Sequence, residues 1–157
     1  MRLIVNVGSH TVMMLIDSGS THNFISDRLA SMLHLPVKPT KPFIVRVANG
    51  QRLHCQGKFY KVPMNLQGIE FYLTLFSLPL SGLDLVLGIQ WLELLGLVVC
   101  IWKDLTMDFI WNNQARRLQG LGEQSIQEAT LKEVLKDHRQ QHMLFAVCFL
   151  STTEDKI

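Results

Sequence analysis

Residues 13–21 read Met-Met-Leu-Ile-Asp-Ser-Gly-Ser-Thr, an apolar run that ends on the carboxylate of Asp17. The apolar part is typical of a buried strand. A charged side chain at the end of such a strand costs free energy unless it is hydrogen-bonded. The N–H of Gly19 and the hydroxyls of Ser18 and Ser20 could supply those bonds. The alternative is an Asx turn, in which Asp17 only caps the loop. Taken alone, the quartet favours the Asx turn, because Asp-Ser-Gly often occurs by accident.

Short β-rich segments continue on both sides of this loop. Helical spacing predicts a short helix after Ser26 and another over Ile89–Leu95, with Gly96 ending the second. Asn49-Gly50 predicts a two-residue hairpin turn, because such a turn needs positive φ at both positions. The predicted strands are Leu3–Val7, Thr11–Ile16, Phe43–Ala48, Arg52–Lys61, Val62–Leu66, Ile69–Phe76, Leu85–Gly88, Leu97–Trp102, Leu105–Trp111 and Ala115–Leu118.

The amino-acid composition of the chain changes at residues 120–122. A capping-box pattern at 125–128 precedes apolar residues on one helical face, and Met143–Leu150 is wholly apolar. We therefore predict one domain over residues 1–120 and a helical or linker extension over residues 121–157.

Composition excludes several classes of protein. With 48% hydrophobic and 18% charged residues, the chain is too apolar to be disordered. A net charge of +2 is too balanced for a nucleic-acid binder with a basic face. The longest apolar run, Met143–Leu150, is far shorter than the roughly 20 residues that span a bilayer, so no membrane association is expected. Cys55, Cys100 and Cys148 lack Cys-x-x-Cys spacing, and the histidines lack ligand spacing. We expect no metal, no cofactor and a reducing, intracellular location.

The loop at Asp17 belongs to a wider pattern. Leu15–Ser26, Val47-Ala48-Asn49-Gly50, Leu87-Gly88 with Gln90-Trp91-Leu92, and Leu105–Phe109 occur in this order. With these motifs, residues 3–118 resemble the retropepsin-like aspartic proteases, particularly the protease segment of plant gypsy-type retrotransposon polyproteins. The resemblance implies a mostly β fold, a closed antiparallel acid-protease barrel with one or two short helices. It also implies an active homodimer that acts on polypeptides.

Aspartic proteolysis explains why a dimer is expected. Two neighbouring carboxylates share one proton, so that one acts as base and the other as acid. The other aspartates, at positions 27, 84, 104, 108, 137 and 155, are not followed by Ser/Thr-Gly. One chain therefore supplies half of the dyad, and a two-fold dimer completes it. By the resemblance, Asp17 is the catalytic carboxylate, Ser18 directs its hydroxyl across the dimer axis, and Gly19 offers its N–H to the carboxylate.

The resemblance also assigns substrate contacts to Ser20, Ala48, Asn49 and Gly50. Residues 47–57 correspond to a flap that closes over substrate; the alternative is an ordinary surface hairpin. A hydroxyl at Ser20 is expected to stabilise ionised Asp17 and to give a more acidic pH optimum than Ser20→Ala.

Two further positions near the loop are expected to be structural. His22 is expected to be a packing residue, and Leu87-Gly88 to support the loop without taking part in catalysis.

The first function is an endopeptidase that processes its own retrotransposon polyprotein, in the cytoplasm or in retrotransposon particles. The alternative is a catalytically silent retropepsin-like module for dimerisation or peptide binding.

Overall fold

A computed structural model describes residues 1–47 and 49–122 of the chain. Strands dominate, as the alternation of apolar and polar residues predicts. In chain order the elements are β1 (Arg2–Val7), β2 (His10–Ile16), β3 (Phe24–Ser26), α1 (Asp27–Met32), β4 (Lys38–Arg46), β5 (Arg52–Leu66), β6 (Ile69–Leu78), β7 (Leu85–Leu87), α2 (Ile89–Leu95), β8 (Val98–Ile101), β9 (Thr106–Trp111) and β10 (Gln114–Gln119).

Six strands close into a barrel in the order β1-β2-β7-β3-β6-β5, and the ring is completed where Asn6 of β1 pairs with Asn65 of β5. β4 extends from β5 as an additional edge strand. Most pairs are antiparallel, whereas β2 pairs with β7 and β3 with β6 in parallel. The prediction of a mostly β, closed barrel with short helices is confirmed.

The remaining strands form a second sheet in the order β10-β9-β8. Its inner face contributes Met107, Phe109 and Leu118 to the main core inside the barrel. A smaller cluster, the hairpin-side core, lies between the β4–β5 hairpin and the strands next to the Asp17 loop. Its buried members are Phe24, Val45, Val47, Leu53, Cys55, Leu78, Leu83 and Val86.

The helices follow from local signals, whereas the bounds of several strands and one turn differ from those predicted: β4, for example, begins at Lys38 rather than at Phe43. Ser26 caps α1, since its Oγ accepts a hydrogen bond from the Leu29 N–H at 3.1 Å. The two predicted strands between Arg52 and Leu66 are one strand, β5, whose pairing shifts register between Phe59 and Val62. Lys61 has a φ of +50° at this bulge, so the chain bends there without leaving the sheet.

The predicted two-residue turn at Asn49-Gly50 is also corrected. The N–H of Val47 donates to the Gln51 carbonyl at 3.0 Å, so three residues lie between the bonded ends. Gly50 has a φ of +84° and closes the loop through its N–H to the Val47 carbonyl. By contrast, Gln67-Gly68 is a two-residue turn, with positive φ at both positions.

The helical extension predicted for residues 121–157 lies, from residue 123 onward, outside the described residues. Within the described part of the chain, no helix is long and apolar enough to cross a membrane.

Candidate active site

Asp17 lies where two buried strands end side by side. β2 and β7 run parallel, with Ile16 paired to Leu87, and the N–H of Asp17 donates to the Leu87 carbonyl at 3.0 Å. Since both strands are apolar, the chain turns at the first polar residue. The pairing holds the backbone of Asp17 at the edge of the barrel core.

The two carboxylate oxygens of Asp17 have different surroundings. Oδ1 accepts a hydrogen bond from the Gly19 N–H at 2.9 Å. Oδ2 is inaccessible to solvent and accepts no hydrogen bond from the described residues. Burial raises the pKa of Asp17 above its ordinary value, and the Gly19 N–H opposes that rise only in part. The site therefore favours a carboxyl group that can hold a proton.

Ser18 and Gly19 are both exposed on this loop. A Cβ at position 19 would lie 3.1 Å from Asp17 Oδ1, so glycine there lets the backbone approach the carboxylate closely. The Gly19 N–H contact is the one that the resemblance implies and also the one that an Asx turn makes, so the catalytic role of Asp17 stays a prediction. The contact of Ser18 across a dimer axis stays a prediction.

Ser20 does not make the hydrogen bond expected from the sequence. Its side chain is fully buried, and its hydroxyl donates to the His22 carbonyl at 2.7 Å. Because a hydroxyl carries a single proton, Ser20 does not donate to Asp17 in this arrangement. Ser20 supports the loop from inside, and the argument for a more acidic pH optimum loses its basis.

Gly88 packs directly against the backbone of the Asp17 loop. A Cβ at position 88 would lie 2.4 Å from the Ser20 carbonyl oxygen and 2.5 Å from that of His22. The N–H of Gly88 donates to Asn23 Oδ1 at 2.9 Å, and that of Ile89 donates to the Ser20 carbonyl at 2.7 Å. These contacts are the support of the loop that was expected from Leu87-Gly88.

Asn23 is a site-supporting residue that sequence reasoning missed. It is 3% exposed, and its side chain holds Gly88 while its carbonyl accepts from the Phe76 N–H at 2.8 Å. A buried amide next to a glycine-containing loop indicates such a role, because buried polar side chains are normally hydrogen-bonded. Because Gly88, the partner of this amide, lies 65 residues away, the sequence could not identify the role of Asn23.

His22 packs as expected. Its ring lies 5.0 Å from that of Phe76 and 5.3 Å from that of Phe43, measured between centroids. The Thr21 hydroxyl is hydrogen-bonded to His22 Nδ1 at 2.7 Å. The imidazole thereby connects the Asp17 loop to β4, the first strand of the hairpin.

The β4–β5 hairpin contacts the same region through apolar side chains. Leu15, two residues before Asp17, packs against the hairpin-side core. At the tip, Asn49 Oδ1 accepts from the Gln51 N–H at 2.8 Å, and both Asn49 and Gly50 are exposed. Ala48, the third expected substrate contact of this hairpin, lies outside the described residues. A lid function for the hairpin stays a prediction.

Thiol and metal chemistry find little support in the described residues. Cys55 is buried, and burial raises its pKa to about 11, so its thiol stays protonated. Across residues 1–47 and 49–122 there is no group of three or more His, Cys, Asp or Glu side chains placed to hold a metal ion.

Comparisons with known proteins agree with this geometry. The sequence model of a family described as "Retroviral aspartyl protease" matches residues 2–113. The crystal structure of the retroviral protease-like domain of Ddi1 from Leishmania major is similar, with a TM-score of 0.58 and 17% sequence identity. The alignment covers 78% of this chain and 94% of that one. At this identity the likeness shows a shared fold. Comparison with curated protein sequences gives no significant match.

Proposed function

Because this chain belongs to the retroviral aspartyl protease family, we propose that it is an aspartic endopeptidase that acts as a homodimer. Asp17 is the proposed catalytic carboxylate of each chain, with Ser18 and Gly19 beside it. Hydrolysis of peptide bonds then takes place between two copies of the same loop.

The observation that carries this proposal is the unequal bonding of the Asp17 carboxylate. One oxygen is held by the Gly19 N–H, while the other is buried without a donor among the described residues. A buried, unpaired carboxylate oxygen is costly. A second Asp17 carrying the shared proton would supply the missing donor, and the raised pKa of Asp17 favours that sharing.

The proposed mechanism follows from two carboxyl groups with one proton. The ionised Asp17 removes a proton from a water molecule, whose oxygen attacks the carbonyl carbon of the scissile bond. The protonated Asp17 gives its proton to the carbonyl oxygen, which produces a tetrahedral diol. The Asp17 that took up the water proton then passes it to the nitrogen of the scissile bond. The C–N bond breaks as the other, now ionised, Asp17 accepts a proton from one diol hydroxyl, so that a carboxylic acid and an amine leave and the pair again shares one proton. Each Gly19 N–H keeps its carboxylate in place throughout.

Polypeptide is the proposed substrate, held between the Asp17 loops and the β4–β5 hairpin. Asn49 and Gly50, with Ala48 and Ser20, are proposed to contribute to substrate binding; the full burial of Ser20 favours an indirect contribution. We further propose that the natural substrate is a gypsy-type retrotransposon polyprotein of which this chain is a part. Processing would take place in the cytoplasm or in retrotransposon particles.

A catalytically silent module for dimerisation or peptide binding is the second candidate. It is compatible with the bonding of Ser20, whose hydroxyl donates to the His22 carbonyl. The similar domain from Leishmania major is itself described as protease-like.

Cleavage of a mixed peptide library between acidic and neutral pH distinguishes the two candidates. We expect the full chain to cleave peptides and Asp17→Asn to lose at least about 10³-fold in rate, because the variant has no group to act as base. Asp104→Asn, which changes an exposed carboxylate in the turn before β9, is the matched control and should keep its activity. Absence of cleavage by folded, dimeric protein would support the silent module instead.

A further inference from the structure

One face of the second sheet is apolar and open to solvent. Register pairs Val99 with Asp108, and Ile110 with Ala115, so these side chains share a face. Ile101 lies on the same side of β8 as Val99, and Leu97, just before β8, lines the same groove. These apolar residues form what we call the outer face: Leu97, Val99, Ile101, Ile110 and Ala115. Leu97 is 85% exposed and Ile110 is 61% exposed. A shallow groove of about 480 Å³ lies along this face.

Two charged residues of the outer face, Asp108 and Arg117, form an ion pair. Arg117 donates through both Nε and Nη2 to the two carboxylate oxygens of Asp108, at 2.7 Å each. The two residues are opposite one another in the sheet. A bidentate pair of this kind uses the hydrogen-bonding capacity of the carboxylate within the face. Apolar side chains can therefore cover this part of the face without separating the Asp108–Arg117 pair.

The chain leaves the described region beside this sheet. β10 belongs to it, and the next residues are anchored nearby: the Gly120 N–H donates to the Leu105 carbonyl at 2.7 Å, and the Leu121 N–H to the Arg2 carbonyl at 2.8 Å. About 20 residues separate Gly122 from Met143. An extended chain of that length reaches roughly 65 Å, several times the length of these strands. The tether therefore allows later residues to return over the outer face.

The sequence beyond residue 122 contains a segment of matching chemistry. Met143–Leu150 reads Met-Leu-Phe-Ala-Val-Cys-Phe-Leu, eight residues without a charged or strongly polar side chain. Exposing apolar side chains to water is unfavourable, so covering the outer face with such a segment is favourable. Tethering also gives the segment a much higher effective concentration at the face than a second chain would have. We propose that Met143–Leu150 packs on the outer face of the second sheet of its own chain.

Hydrogen–deuterium exchange on the full chain tests this proposal. We expect the amides of residues 143–150 to be protected to the same degree at low and high protein concentration. Leu97→Asp, which places a charge on the outer face, should accelerate their exchange at least 10-fold. Val37→Asp is the control, because it also replaces an exposed aliphatic side chain outside a strand with Asp (Val37 is 62% exposed), at a position that does not line the groove. Unchanged exchange in the barrel strands would show that both variants are folded.

Three results would overturn the proposal. Fast exchange of residues 143–150 in the unmodified chain would mean that the segment is not packed. Protection that survives Leu97→Asp would mean that it packs elsewhere. Protection that rises with protein concentration would assign the outer face to a second copy of the chain.

Discussion

The two oxygens of Asp17 differ more than the two oxygens of an ordinary surface carboxylate. One is hydrogen-bonded to Gly19, and the other is buried without a donor in the described chain. Desolvation of this group penalises its charged form, which is why its pKa is raised. The same feature that suits proton sharing in a dyad therefore weakens the fold of a single chain at neutral pH.

Replacing Asp17 with an uncharged residue should stabilise the folded chain at neutral pH. Since the pKa of Asp17 is higher in the folded than in the unfolded chain, the stability it contributes is greatest below pH 3.8 and declines as the pH rises through the folded value. We therefore expect Asp17→Asn to unfold at a higher temperature than the unmodified chain at pH 7. Below pH 3.8 the two should unfold together. Thermal unfolding at low protein concentration measures this.

Asp104→Asn controls for the loss of one negative charge at an exposed site. If Asp17→Asn were less stable than the unmodified chain at pH 7, the buried carboxylate would not be a source of strain.

At the scale of the elements, the end of the short strand β7 is in close contact with the loop after β2. Gly88 follows β7 and faces two carbonyl oxygens of the Asp17 loop at distances that leave no room for a Cβ atom. Because those oxygens belong to the backbone, the loop itself must move if Gly88 is replaced.

Gly88→Ala should therefore destabilise the protein by about 3 kcal/mol or more. Any folded fraction should have lost activity, since the displaced loop carries Asp17. Denaturant unfolding together with peptide cleavage measures both effects. Gly122→Ala is the control, because a Cβ there meets no atom within 4 Å. Equal stability of the two variants would mean that the contact between Gly88 and the loop is not rigid.

A glycine at the tip of the β4–β5 hairpin can be compared with one in the turn between β5 and β6, because the two have similar backbone conformations. Gly50 and Gly68 have φ values of +84° and +89°, and a Cβ at either position meets no neighbouring atom. They lie at opposite ends of β5. Alanine in this conformation costs roughly 1–2 kcal/mol at either site.

If the hairpin covers substrate, Gly50→Ala should lower kcat/KM about 10-fold or more, while Gly68→Ala should leave it nearly unchanged. The two variants should lose similar stability, which separates an effect on the lid from an effect on folding. Equal kcat/KM values would identify the hairpin as an ordinary surface loop.

The molecule as a whole presents its proposed catalytic loop outward. Ser18 is exposed beside Asp17, and each chain supplies one Asp-Ser-Gly sequence. A two-fold axis at this loop would bring the two Ser18 residues near each other, as an isologous interface requires.

Ser18→Glu should then place two like charges at the dimer axis. We expect dimerisation to weaken at least 10-fold, with a parallel loss of peptide cleavage, because close like charges repel in a partly desolvated interface. Sedimentation equilibrium measures the association. Ser9→Glu makes the same change in the exposed turn between β1 and β2 and should dimerise normally. Unaltered association of Ser18→Glu would place the dimer axis elsewhere.

Local patterns were sufficient to predict most of the architecture. Apolar alternation located most of the strands, Ser26 identified the start of α1, and Gln67-Gly68 identified a turn. These features depend on neighbours within a few residues, where side-chain spacing and backbone preference act directly. The role proposed for Asp17 came instead from a resemblance carried by several motifs along the chain, because residues 17–19 alone favour an Asx turn.

The remaining features depend on residues that only the folded chain brings together. Ser20 bonds to the His22 carbonyl because Gly88, Asn23 and Ile89 hold the loop in one shape, and β7 inserts between β2 and β3 from some 60 residues away. β5 stays continuous past Lys61 because β6 pairs with it on both sides of the bulge. A hydroxyl or an amide can hydrogen-bond with many different groups, and sequence spacing does not show which of these groups will be its partner. Tertiary packing selects one partner, since burial leaves each polar group few others within reach.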